Sequence, residues 1–186
     1  MRKLLDFFNK PLLKIPLVLG ALTGILTFMY FLALYFLDIT PLGNKKMPDF
    51  GIHMIMLVVG CWYYRKYVGK GLLHLWEGLT LCYVLNTTAA FLNGWLIYFF
   101  ITYVDPAVFT NYLAEMQQLL VQGKGELVKN IGEAEYQQML RNVMATERSQ
   151  IITDELSKKT LMAVLPIIIV SMIFRRQDYG VFQGRP

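Results

Sequence analysis

The chain has 186 residues, of which 55% are hydrophobic and 17% charged, with a net charge of +5. A soluble domain normally carries about 25% charged residues, so this composition argues against an ordinary water-soluble globule. The positive balance alone would suit nucleic acid. Here, however, the basic residues gather at the ends of apolar stretches, where a membrane protein meets anionic headgroups, and no nucleic-acid partner is expected.

Residues 1–14 mix Leu4, Leu5, Phe7 and Phe8 with Arg2, Lys3, Lys10 and Lys14, and read as a short amphipathic segment in the interface. Pro11 and Pro16 end it. Residues 15–37 are the first predicted span: 23 apolar residues, too long for a signal-peptide core, with no small-residue cleavage site after them. Gly20 and Gly24, four apart, share a side with Thr23 and Thr27 and predict a seam where another helix approaches closely. A loop over 38–49, punctuated by Pro41, Gly43, Asn44 and Pro48, leads to a second span over 50–66. Residues 67–71 form a tight basic turn. The third span, 72–104, is the longest apolar stretch. At about 1.5 Å per residue it reaches roughly 50 Å against a hydrocarbon core of about 30 Å, so it crosses a bilayer and projects beyond it.

Asp105-Pro106 stops that helix and starts another. Residues 107–122 are periodic, with Val108, Phe109, Tyr112, Leu113, Met116, Leu119 and Leu120 on one face. Gly123-Lys124-Gly125 breaks the pattern. A second amphipathic segment runs from about 126 with Tyr136, Met139, Leu140, Val143, Met144 and Ile151 on one face, and Gly132 leaves open whether it is one helix or two. Residues 105–155 hold eight acids against four Lys/Arg, so this insert is acidic while the rest of the chain is basic. The fourth span is 156–174, with Lys158 and Lys159 at its start placed to snorkel, Pro166 inside it to kink it, and Arg175-Arg176 to stop it. The tail after it reads as unstructured.

The expected fold is therefore an all-α integral membrane protein: a single membrane domain over 1–186 with four transmembrane helices and an extracytoplasmic amphipathic helical hairpin over 105–155, between spans 3 and 4. Both termini and the turn carrying Arg65, Lys66 and Lys70 fall on one side. The positive-inside rule then predicts a multi-pass protein of the bacterial inner membrane with both termini in the cytoplasm.

Nucleotide and hydrolase signatures are absent: there is no P-loop, no H-E-x-x-H, no G-x-S-x-G and no dinucleotide-binding glycine motif. The two cysteines, Cys61 and Cys82, read as free buried thiols. His53 and His74 fall at opposite ends of the threading, which argues against a histidine-based metal centre. No cofactor, metal or catalytic residue is expected. His74 and Glu77, three apart beside Arg65, Lys66 and Lys70, form a candidate site for a phosphorylated lipid headgroup. The plainer alternative pairs Glu77 with Arg65 or Lys66. On the third span Gly78, Cys82, Asn86 and Asn93 recur at helical spacing, with Ala89 and Ala90 between them. They predict a packing seam whose asparagines need hydrogen-bond partners, Thr23 and Thr27 among the candidates. The insert offers a candidate partner face: Phe109, Tyr112, Leu113, Met116, Leu120, Tyr136, Met139, Leu140 and Val143.

The layout of these motifs, with Arg65, Gly69 and Gly71 before the long third span, Asp105-Pro106 at its exit, the acidic insert and a basic end to the last span, resembles a Bacteroidota family of small four-helix membrane proteins known as domain of unknown function forty-one ninety-nine. Genes of that family often lie beside a polyprenyl-phosphate type membrane glycosyltransferase. The resemblance thus implies an accessory role in handling lipid-linked sugars and brings no catalytic residues with it. The expected function is a non-catalytic accessory subunit whose partners are the lipid bilayer and another membrane protein or a second copy. The alternatives are a lipid-handling enzyme or phospholipid or polyprenyl-phosphate binder using the basic turn and Glu77, and a small dimeric transporter. Transport is disfavoured because no charge is expected at mid-membrane.

Overall fold

A computed structural model of the protein describes residues 10–176. It contains seven α-helices: α1 (Pro11–Phe36), α2 (Asp49–Tyr67), α3 (Leu75–Phe99), α4 (Ala107–Gln122), α5 (Lys124–Ile131), α6 (Glu133–Met144) and α7 (Gln150–Phe174). A 3-10 turn, Gly43–Lys46, precedes α2, and a π-turn, Phe100–Val104, extends α3. Among the described residues there is no strand, only a single antiparallel bridge between Leu73 and Arg176. Three helical stretches are long and apolar enough to cross a membrane: Pro11–Phe36, Leu75–Val104 and Gln150–Phe174. The 19 residues of α2, which include Asp49, His53, Arg65 and Lys66, fall outside that set.

Helix α3 is the centre of the bundle, with α1 and α7 packed most extensively against it. The α1 contact is set by two glycines. A Cβ on Gly20 would lie 2.6 Å from the Leu85 carbonyl oxygen, and one on Gly24 would lie 3.0 Å from that of Ala89, so only glycine lets the backbones come this close. On the other side of α3, Gly78 faces Ser171 of α7, and Gly94 faces the backbone of Ile152. Around these contacts lie two apolar cores. One, at the basic end, joins Leu57, Cys61, Leu81, Cys82, Leu85 and Ile167. The other, at the insert end, joins Phe31, Leu42, Ile97, Ile101, Val108, Phe109 and Ile151.

Several boundaries differ from the sequence reading. The amphipathic N-terminal segment lies mostly outside the described residues, and α1 already starts at Pro11, with Pro16 inside it. Pro11 suits the first helical position, where the missing N–H has no backbone acceptor, whereas Pro16, a turn further on, forfeits one i→i−4 hydrogen bond. Helix α7 starts at Gln150, six residues before the predicted span, because Ile151 is buried in the insert-end core and draws the polar turn into the bundle. The insert is three helices, which answers the question that Gly132 left open. Gly132, at φ 85°, ψ 160°, adopts a backbone that L side chains rarely take and divides α5 from α6.

Candidate functional site

The feature that stands out is a group of charged and amide side chains sealed inside the bundle. Lys46, Asp49, His53, Asn86, Asn93 and Lys159 are all buried. The local architecture explains how they meet. Asp49 and His53 are one turn apart at the start of α2, Glu155 and Lys159 are one turn apart on α7, and Asn86 and Asn93 sit on the small-residue face of α3. Lys46 enters from the 3-10 turn.

The charges balance. Lys159 Nζ donates to Asp49 Oδ1. Lys46 Nζ sits 2.7 Å from Glu155 Oε1 and 3.6 Å from Asp49 Oδ2. Asn93 Nδ2 donates to Glu155 Oε2 at 3.2 Å. Two ammonium groups thus face two carboxylates, which is the condition under which ions survive burial. Burial pushes the Lys46 ammonium below the usual lysine range, while Glu155 and Asp49 oppose that shift.

Below the ions, Asn86 Oδ1 is 2.9 Å from His53 Nδ1, and Asn86 Nδ2 donates to the Lys159 carbonyl oxygen at 3.3 Å. The second bond fixes which way the amide points. An amide oxygen only accepts, so His53 Nδ1 must carry the proton and Nε2 must be the bare lone pair. That Nε2 is buried and has no hydrogen-bond partner. The His53 ring lies near-parallel to that of Phe50, with centroids 6.0 Å apart, and the Lys159 ammonium is 5.9 Å from the Phe50 centroid. Counted along α3 from Leu75, Asn86 lies about 16 Å and Asn93 about 27 Å from the helix start.

This arrangement corrects two expectations. Lys159 does not snorkel from the end of a span; it turns inward because Asp49 offers it a buried counter-charge. Thr23 and Thr27 do not serve the asparagines. Their hydroxyls bond carbonyls of their own helix, Leu19 at 2.7 Å for Thr23, and Thr23 and Gly24 at 3.0 Å each for Thr27. The cluster of buried charge as a whole was not foreseen from the sequence. The missed signal was the pair of four-residue spacings, Asp49 to His53 and Glu155 to Lys159, each at the margin of an apolar run.

The predicted seam residues Gly20, Thr23, Gly24 and Thr27 on α1, and Gly78, Cys82, Asn86 and Asn93 on α3, are all buried. Cys61 Sγ and Cys82 Sγ are free thiols 3.2 Å apart.

At the basic end, the five predicted headgroup residues divide. Arg65 and Lys66 line a hollow of about 300 Å³ together with Trp62, Gly71 and Phe174. Arg65 Nε donates to the Gly71 carbonyl at 3.2 Å, and Lys66 lies over Trp62, 4.9 Å from the ring centroid. Lys70, His74 and Glu77 are not part of that lining. Glu77 Oε2 accepts the His74 backbone N–H at 2.9 Å, a helix cap, and makes no ion pair with Arg65 or Lys66.

In the insert, Phe109 is buried in the insert-end core. Tyr136 is also buried, with Lys124 over its ring. Leu120 and Leu140 are half-buried. Tyr112, Leu113, Met116, Met139 and Val143 line one groove of about 410 Å³, which continues onto Asp154 of α7. Among the described residues no three His, Cys, Asp or Glu side chains are grouped to hold a metal ion.

The chain belongs to the family described as "Protein of unknown function (DUF4199)", whose model matches residues 19–176. No curated protein and no solved structure matches it.

Proposed function

We propose that this protein is a non-catalytic accessory subunit of the bacterial inner membrane that crosses the bilayer four times, α2 included, with both termini in the cytoplasm and the insert outside. Its partner is a second membrane protein, seated in the groove between α4 and α6. One observation carries this reading: Tyr112, Leu113, Met116, Met139 and Val143 come together in a single open groove that nothing among the described residues fills. The groove is set in an acidic insert and flanked by Asp154, which suits an apolar partner segment bordered by basic residues. The family resemblance adds a membrane glycosyltransferase acting on lipid-linked sugars as the class of partner to look for.

The test is affinity purification of the tagged protein in mild detergent, followed by mass spectrometry. The expected result is a stoichiometric membrane protein that is lost with Met116→Asp and Met139→Asp and kept with Lys70→Ala and Glu77→Gln. A protein that purifies alone, with loss of function confined to the basic turn, overturns the reading.

A second reading has its own observation. The hollow lined by Trp62, Arg65 and Lys66 presents a guanidinium, an ammonium and an aromatic wall at the cytoplasmic interface of this threading. That set fits an anionic lipid headgroup. Co-purified phospholipid or polyprenyl-phosphate that disappears with Arg65→Ala would favour it.

A further inference from the structure

We infer that the buried charge cluster is a proton-binding site reached from the insert end of the bundle, with Asp49 as the acceptor. The inference rests on the membrane threading proposed above.

A cavity of about 50 Å³ opens between the 3-10 turn, α2 and α7, lined by Lys46, Asp49, Phe50, Glu155, Lys159 and Met162 among others. That volume is enough for one or two water molecules. Into it faces Asp49, which is 1% exposed and whose Oδ2 has no hydrogen-bond partner. Lys46 Nζ stands 3.6 Å from Oδ2, an ion-pair distance just beyond direct hydrogen-bond range. One turn deeper on α2 stands His53, fully buried, with its Nε2 lone pair bare. Asn93 Oδ1 is a third buried acceptor without a donor. Buried acceptors are normally satisfied, so three in one cluster, of which Asp49 lines a water-sized cavity, need an account. All three lack a donor, and the charges around them already balance, which argues against a metal cation and for water and the proton it carries. Past His53 the path ends: Leu57, Cys61, Leu81 and Leu85 fill the bundle toward the basic end and are fully buried. The site therefore communicates with one side only.

The step is a simple transfer. A hydronium or buffer acid gives its proton to Asp49 Oδ2 and is left as water or conjugate base. The carboxylate becomes a carboxylic acid, and its ion pair with Lys159 becomes an ordinary hydrogen bond. The other groups facing Asp49 and His53 are Lys46 from the turn, Glu155 and Lys159 from α7, and the neutral Asn86 and Asn93 from α3.

The test uses the whole protein in sealed phospholipid vesicles. Protease cleavage within residues 124–144 reports the fraction of molecules with the insert outside. The external buffer is stepped from about pH 8 to about pH 5, the range over which carboxylates and imidazole titrate, while infrared difference spectra are recorded. The expected result is a prompt protonated-carboxyl band, proportional to the insert-out fraction, of which the Asp49 component is missing in Asp49→Asn and is slowed severalfold by Met47→Trp at the exposed edge of the cavity. A wild-type spectrum without that band, a band that rises only after an ionophore equilibrates the lumen, or a band unchanged in Asp49→Asn overturns the proposal. If protease reaches the insert and a C-terminal tag from the same side, the threading fails instead, and the band still reports whether Asp49 takes the proton.

Discussion

Lys159 of α7 and Asp49 of α2, 110 residues apart in the chain, form an ion pair in the interior of the bundle. A buried pair of this kind is costly to break and cheap to replace as a whole. Lys159→Met leaves the Asp49 and Glu155 carboxylates facing Lys46 alone, and a loss of about 3–5 kcal/mol is expected. The double variant Lys159→Met with Asp49→Asn removes one charge of each sign and should recover most of that loss. Thermal unfolding in detergent micelles, run as a double-mutant cycle, checks both. A double variant whose loss equals the sum of the two single losses would show that the two side chains act independently.

The crossing of α1 on α3 depends on the absence of side chains. A Cβ on Gly20 would sit 2.6 Å from the Leu85 carbonyl and 2.8 Å from Thr88 Cβ. Gly20→Leu should therefore push the helices apart and cost about 1–3 kcal/mol or more. Gly51, in the first turn of α2, has nothing within 4 Å of a built Cβ. Gly51→Ala should be neutral or gain up to about 1 kcal/mol through helix propensity. The contrast between the two in one unfolding assay separates close approach from a general intolerance of change.

Glu77 caps α3 through the His74 N–H. Glu77→Ala should lower stability by about 0.5–2 kcal/mol, while Glu77→Gln, which keeps an acceptor oxygen, should cost less. If Glu77→Gln instead abolished function in cells at unchanged stability, the carboxylate would be doing chemistry that the cap does not require.

The loop before α2 is tied to α4 by Glu115, whose carboxylate meets Lys45 at 3.2 Å. A hydrogen bond from Thr40 and the Lys45 ammonium hold Glu115 below the usual carboxylate range. The folded value is thus depressed relative to an unfolded value of about 4.3. The sign follows: this contact stabilises above that pH and is lost as pH falls through the lower, folded value. Protease sensitivity of the insert, followed from about pH 6 to about pH 3, should rise at the acid end, and Glu115→Gln should flatten that part of the profile. Both groups are substantially exposed, so the effect is modest and weakens in salt.

The long apolar runs declared most of the bundle in advance because their signal is additive over twenty residues or more. The family was legible too, from Arg65 with Gly69 and Gly71, Asp105-Pro106 and the acidic insert together. What stayed hidden was set by partners distant in sequence. Ile151 reads as part of the apolar face of the insert, but nothing near Glu155 in sequence shows that it is drawn inward by contacts with other helices. Lys46 looked like a loop lysine because nothing nearby in sequence says that Glu155 waits 2.7 Å away. The seam was visible on α3 as a stripe of small residues, but the stripe does not name who bonds its asparagines. His53 and Lys159 answer for Asn86, and Glu155 for Asn93.

Asp154 lines the groove in the insert, and Glu155, the next residue, belongs to the ion cluster. Two sites that share one turn of α7 cannot be thermodynamically independent if either shifts that turn. Whatever settles in the groove would then alter the acidity of the cluster, and a proton in the cluster would alter the grip of the groove by the same factor, because such linkage is reciprocal. On this view α7 is a rocker whose second turn weighs a proton in the cluster against an occupant of the groove.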